Sequence, residues 1–117
     1  MEKRLIGKLG EKLVCKWYTD RKYKLLDINY RTRLGEIDII AMKKKEIVFI
    51  EVKTRKNSNF YEAKEAVTFS KQSKIKAAAA QFLAENDFED FIVRFDVVEV
   101  YHPENNPVIN IIENAFE

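Results

Sequence analysis

One cysteine, Cys15, and one histidine, His102, supply the only thiol and the only imidazole in this 117-residue chain. A lone thiol cannot close an internal disulfide, and one thiol with one imidazole cannot build a zinc cage. With three glycines and two prolines, collagen-like and low-complexity architectures are excluded. No apolar run approaches the roughly 20 residues that a membrane span needs. Met1-Glu2-Lys3-Arg4 leads into a mixed polar segment, not the apolar stretch of a signal peptide, so a cytoplasmic protein is expected. If the protein binds a metal or moves protons, carboxylates and lysines must do it.

What the chain does have is apolar content and charge. A hydrophobic fraction of 46% argues against disorder, and the length suits a single domain over residues 1–117. The net charge of +2 conceals a division. Residues 1–76 carry 20 of the 21 Lys and Arg against 10 acids, a balance of +10; residues 77–117 carry Arg94 against 9 acids, a balance of −8. Such asymmetry fits a basic surface for a polyanion, unless folding intermixes the charges.

Leu5, Ile6, Leu9, Leu13, Val14 and Trp17 recur at helical spacing and predict an amphipathic helix over 3–19. Strands are expected over 23–31, 36–42 and 46–54, the last two separated by Lys43-Lys44-Lys45 as a hairpin. No Gly or Asn marks that turn, so nothing in it dictates a tight two-residue loop. The main polar loop falls at 56–59. A second helix is expected over 69–85, with Thr68 or Ser70 as N-cap, then strands over 91–101 and 108–112. This order gives an α/β layered domain with a mixed sheet.

The chemistry concentrates in Gly35-Glu36-Ile37-Asp38 and in Ile47 to Thr54. Alternate strand residues share a face, so Glu51 and Lys53 project together with Ile47 and Phe49. A hairpin centred between Lys44 and Lys45 sets Asp38 opposite Glu51 and Glu36 opposite Lys53. Two carboxylates so placed repel each other, a cost that a divalent cation between them would remove. Mg²⁺ characteristically takes one or two carboxylates plus water and substrate phosphate. Lys53, one pleat further on, could reach a phosphate oxygen, which completes the parts for metal-assisted phosphodiester hydrolysis. The competing reading is a solvated Glu–Lys pair. Against it, strand 46–54 is apolar on both parities, the mark of a buried strand whose terminal charges need partners or a function.

Asp38 followed thirteen residues later by Glu51-Val52-Lys53 looks like the Asp…Glu-x-Lys signature of restriction-endonuclease-like nucleases. More closely, the chain resembles the bacterial YraN family of endonucleases related to Holliday-junction resolvases. The matching stretches are Gly7-x-x-Gly10-Glu11, Asn29-Tyr30-Arg31, Gly35 to Asp38, Val48 to Arg55, Ala66-Val67 before Lys71, and Arg94 to Val98. They span about residues 4–101 and leave a tail, 102–117, without a family motif. The resemblance implies a restriction-endonuclease-like three-layer α/β/α fold with a central mixed sheet. It also implies Mg²⁺ or Mn²⁺ held by Asp38, Glu51 and the main-chain carbonyl of Val52, a water-orienting and charge-stabilising Lys53, and an accessory Glu11. DNA, branched or in junctions, is the implied partner, and a resolvase-like mode would require a homodimer.

Helix-wheel geometry alone leaves Glu11 off the apolar stripe, where solvation is the ordinary reading. Gly7 and Gly10 cost helix stability unless the helix packs closely on the sheet, which would bring Glu11 near the strand ends. Arg31, Arg33 and Arg55 surround the expected site and could contact phosphates, and Lys71 and Lys74 share one helical face. Tyr30, Phe60 and Tyr61 could stack on bases, although core packing suits Tyr30 better. An ion pair accounts for Arg94 and Asp96. Two rivals to a nuclease stand: a non-catalytic nucleic-acid-binding module that keeps the fold, and an interaction subunit using a sheet edge and the acidic C-terminal region.

Overall fold

The computed structural model describes residues 2–55 and 67–117. Phe60, Tyr61, Ala66 and the 56–59 loop lie outside the described residues. The elements run α1 (Lys3–Asp20), β1 (Lys24–Arg31), β2 (Glu36–Lys43), β3 (Glu46–Arg55), α2 (Phe69–Glu85), β4 (Ile92–Tyr101) and β5 (Val108–Phe116). The strands form one sheet in the order β1-β2-β3-β4-β5, antiparallel throughout except for the parallel β3–β4 pair. No described helix is long and apolar enough to cross a membrane.

Strand alternation makes this a three-layer α/β/α arrangement. Val14 and Tyr18 of α1 pack with Ile39, Ala41, Val48, Ile50, Val98 and Val100 on one sheet face. Ile75, Ala78, Ala79 and Phe82 of α2 pack with Ile40, Ile47, Phe49 and Val97 on the other. Both faces of β3 are covered, as its apolar run requires. The layering is compatible with the nuclease-like fold that the family resemblance implies.

One point the sequence left open is decided, and two local expectations are corrected. The β2–β3 loop is a tight two-residue turn: Lys43 pairs with Glu46, and Lys44 takes φ 57°. That left-handed backbone costs a lysine about 1 kcal/mol, which the long ladders on either side absorb. The buried stripe of α1 is Ile6, Gly10, Val14 and Tyr18, rotated away from Leu5, which is 47% exposed. The last strand runs on to Phe116, whose ring stacks on Phe95 with centroids 5.0 Å apart.

The two helical glycines separate. A Cβ on Gly10 would lie 2.0 Å from Thr54 Oγ1 and 3.1 Å from Thr54 Cβ, so turning the Thr54 side chain cannot clear it. A Cβ on Gly7 would meet nothing within 4 Å. Close packing therefore explains Gly10 and not Gly7. Gly7→Ala should raise stability by about 0.5–1 kcal/mol through helix propensity. Gly10→Ala should lower it by about 1–2 kcal/mol, because overpacking exceeds that gain. Urea melts of the two variants check this, and equal shifts would contradict the close approach of α1 to β3.

Candidate active site

The β2–β3 register is the expected one, but the backbone ladder ends at Ile39–Ile50. Asp38 does not extend it as a cross-strand partner of Glu51. Its carboxylate turns inward, and Oδ2 accepts a 2.7 Å hydrogen bond from the Val52 N–H, taking over a backbone donor at the strand end. Strand alternation slips at this point. Ile37 packs in the α2-side core, whereas Ile39, two residues on, packs in the α1-side core. Across the β1–β2 ladder, Asn29 has φ 57°, a conformation asparagine tolerates better than most residues. The slip frees Asp38 from the pleat and points it at β3.

Glu51 is 7% exposed, and its carboxylate and that of Asp38 act directly on each other's titration. Burial, followed by the hydrogen bond and charge of Glu51, drives the Asp38 carboxyl far above the usual carboxylate range, against the opposing Val52 N–H. Burial acts on Glu51 in the same direction, but Asp38, Lys71 and Lys53 outweigh it and hold Glu51 below its ordinary value. Opposed directions of this kind favour a single proton on the pair, with Asp38 the member pushed toward keeping it. Lys71 Nζ lies 3.0 Å from Glu51 Oε2. No well-directed hydrogen bond reaches that buried oxygen, so the contact is an ion pair only.

Lys53 projects on the Glu51 side, where burial and the neighbouring Lys71 push its ammonium down. Burial pushes Lys71 the same way, but Lys53 and Glu51 outweigh it and Lys71 holds its proton more tightly. Glu11 is half-buried on α1. Desolvation raises its carboxyl, a hydrogen bond with Asn29 opposes this, and the charges of Glu51 and Glu36 raise it further. Glu11 therefore reaches the site through charge and through Asn29. Glu36, expected opposite Lys53, is exposed and pairs with Arg31 at 3.5 Å.

Beside the carboxylates, a groove of about 550 Å³ runs between the β1–β2 turn and the start of α2; Arg31, Arg33, Leu34, Ser70, Lys71 and Lys74 are among its walls. The turn is stiff: Thr32 N–H donates to Gly35 O at 2.8 Å, and Thr32 Oγ1 accepts from Leu34 N–H at 3.0 Å. It seats directly on α2, since a Cβ on Gly35 would lie 2.4 Å from the Lys74 carbonyl oxygen. Of the five basic residues expected near phosphate, four line this groove. Arg55 does not; it is half-buried at the end of β3. Tyr30 packs edge-on to Phe82 and donates to Glu85 at 2.6 Å, a core role.

Sequence reasoning missed Asn29 as the partner of Glu11 and Lys71 as the counter-ion of Glu51. An asparagine inside a strand was the available sign of the first; the second depends on how α2 docks and left no sign.

Among the described residues, no three His, Cys, Asp or Glu side chains cluster closely enough to form a metal cage. A Ca²⁺-type all-protein site is therefore not built there. Half-buried Asp38 and buried Glu51, the latter with an oxygen lacking a directed partner, do fit an ion such as Mg²⁺ or Mn²⁺ that keeps most of its waters.

The raised Asp38 titration has a stability consequence with a definite sign. Its contribution is full below the ordinary aspartate range and is lost as pH rises through the raised folded value. Glu51 acts oppositely: its contribution is present above the ordinary glutamate range and lost on acidification. Above about pH 5 the Asp38 effect leads, with Glu11 adding to it in the same direction and Lys53 opposing it toward pH 9, so wild-type stability should fall with rising pH, with Asp38 contributing less than about 1.4 kcal/mol per unit. Asp38→Asn should remove most of that slope. Denaturant melts between pH 5 and 9 measure it, and parallel slopes would contradict the shared proton.

Residues 10–100 match the model of a family described as "Uncharacterised protein family UPF0102". The chain is 42% identical to a UPF0102 protein of Caldanaerobacter subterraneus, over 99% of this chain and 98% of that protein. It is 47% identical to a UPF0102 protein of Alkaliphilus oremlandii, over 95% and 97% of the two chains. A UPF0102 protein of Clostridioides difficile is 43% identical over 94% and 95%.

Proposed function

The chain belongs to the uncharacterised protein family UPF0102, the YraN family, and from that premise we propose that it is a metal-dependent nuclease hydrolysing phosphodiester bonds of DNA. The observation that carries this reading is the interacting carboxylate pair of half-buried Asp38 and buried Glu51, with Lys53 on the same side and a groove lined by Arg31, Arg33, Lys71 and Lys74 alongside. Two adjacent carboxylates cannot both ionise cheaply without a cation, and a fold that retains them while offering a basic groove is arranged for a cation and a polyanion together.

Asp38, Glu51 and the carbonyl of Val52 are the groups that would hold Mg²⁺ or Mn²⁺. Bound there, such an ion would supply Lewis acidity toward the phosphoryl group and lower the pKa of an attacking water. Asp38 must release its proton to become a ligand, so ion affinity should climb as pH rises. Lys53 offsets charge accumulating on the phosphoryl oxygens and orients the water. Arg31, Arg33 and Lys74 hold the backbone in register without reading sequence. Glu11 adds negative potential from α1. A branched substrate cut on two strands would need two such sites, and hence a homodimer.

The test is purified protein with labelled linear, flapped and four-way DNA, with and without Mg²⁺ or Mn²⁺. Metal-dependent products on at least one substrate are expected. Salt-sensitive binding with no product on any substrate would instead establish a non-catalytic nucleic-acid-binding module.

A further inference from the structure

Lys71 belongs to two surroundings at once. Its ammonium lies 3.0 Å from Glu51 Oε2, and its side chain is also part of the groove wall with Arg31, Arg33 and Lys74. We propose that Lys71 is a displaceable counter-ion: it and a divalent cation compete for the same Glu51 oxygen, and ion binding transfers Lys71 to a substrate phosphate in the groove. The inference rests on the nuclease reading and adds to it a residue that couples ion binding to nucleic-acid binding.

Three observations carry it. First, the contact depends on charge rather than on a directed hydrogen bond, since Oε2 has no well-aligned donor. A cation that can take that oxygen as a ligand therefore has little specific geometry to overcome. Second, the two partners differ in freedom. The Glu51 side chain is 8% exposed on a strand paired to β4 at that position, whereas Lys71 is 44% exposed and carries a flexible four-carbon stem on the first turn of α2. Glu51 is the fixed member and Lys71 the movable one. Third, the site already has Lys53 beside Lys71. A dication added to two ammoniums leaves surplus positive charge, and Lys53 sits on β3, itself paired to β4 at that position. Lys71 is the group that can leave, and the groove is where its stem can take it.

The alternative is a purely architectural ion pair tying α2 to β3. The two differ in what loss of the ammonium does to ion binding. In Mn²⁺ titrations of the full chain without DNA, with free Mn²⁺ read by electron paramagnetic resonance, Lys71→Gln should bind Mn²⁺ about tenfold more tightly than wild type, because a competitor is gone. Lys71→Arg, whose fork grips a carboxylate better, should bind it less tightly. With a short duplex and Ca²⁺, Lys71→Gln should bind DNA more weakly and with a salt dependence reduced by about one phosphate contact. Without a divalent ion the two proteins should bind DNA alike, so the coupling between ion and DNA shrinks, as linkage requires.

Unchanged or weaker Mn²⁺ binding by Lys71→Gln with an unaltered circular dichroism spectrum would overturn the proposal and leave the nuclease reading standing. Tighter Mn²⁺ binding by Lys71→Arg would overturn it as well, even if Lys71→Gln failed to fold. No Mn²⁺ binding by wild type or by either variant would overturn both.

Discussion

Asp38→Asn should reduce DNA cleavage by about 10³-fold or more while leaving the protein as stable as wild type, or more stable. The reason is the shared proton. Asp38 accepts from the Val52 N–H at 2.7 Å, and in its protonated form it has an O–H to offer Glu51. An asparagine reproduces both contacts, its carbonyl oxygen accepting from Val52 and its amide donating to Glu51. What it cannot do is lose a proton and become an anionic ligand. Removing Lewis-acid stabilisation of several kcal/mol from the transition state corresponds to about three orders of magnitude in rate. Above neutral pH the folded protein is relieved of a second buried charge, a gain on the order of 1 kcal/mol, in line with the usual opposition between activity and stability at such sites. Lys53→Met should cost about 10²–10³-fold, as loss of one preorganised charge-stabilising donor does elsewhere. Single-turnover cleavage and thermal melts on the same preparations supply both readouts. Wild-type cleavage by Asp38→Asn would remove the carboxylate pair from the chemistry, and a large loss of stability would make Asp38 architectural instead.

The second large effect lies on the opposite sheet face. Asp96 is 1% exposed and gathers four donors. Tyr18 Oη donates to Oδ2 at 2.7 Å, Arg94 Nε to Oδ1 at 2.8 Å and Arg94 Nη2 to Oδ2 at 2.9 Å. The fourth is the Asn114 N–H, 3.0 Å from Oδ1, where the β4–β5 pairing shifts between Phe95 and Val97. One carboxylate thereby ties α1, β4 and β5 together, and Arg94 extends the network to Glu46 at 2.7 Å and to Tyr23 at 3.1 Å. Asp96→Ala leaves a buried tyrosine hydroxyl without an acceptor and strips the arginine of its main partner. Breaking a buried pair in this way costs about 3–5 kcal/mol, on the order of 15 °C in melting temperature for a chain of this size. Asp96→Asn, which keeps part of the hydrogen bonding, should cost less. Tyr18→Phe combined with Asp96→Ala should cost less than the two single changes added, since both remove the same bond. A loss under about 1 kcal/mol for Asp96→Ala would show that β5 and α1 hold without this hub. Folded Asp96 variants should still bind Mn²⁺, because the network faces α1 whereas Glu51 pairs with Lys71 of α2.

How far each of these was legible before folding differs, for identifiable reasons. Strand 46–54 declared itself buried on both faces through its unbroken apolar run, and Glu51 and Lys53 followed as neighbours on one side because strand side chains repeat every two residues. The hairpin register was legible as well, since the lysine run left one place for the turn. Asp96 was seen only as a partner of Arg94. Tyr18, its third contact, lies 78 residues away in sequence, and no local pattern spans that distance. Tyr18 even fell on the polar side of the expected stripe of α1, because large residues such as Leu5 and Trp17 weigh heavily in a helical wheel. The docking of Gly10 against Thr54 turns the helix so that a small residue and a tyrosine face the sheet.

The residues alone were enough to assign the α/β layering, the position of the strand carrying Glu51 and Lys53, and the exclusion of an internal disulfide or a Cys/His zinc cage, because all three depend on composition and short-range periodicity. Tertiary structure decided the rest: that Asp38 leaves the ladder to bind Val52, that Lys71 faces Glu51, and that four basic residues meet in one groove. Those arrangements depend on a slip in strand alternation and on where α2 lands, and both are set by packing between segments far apart in the chain.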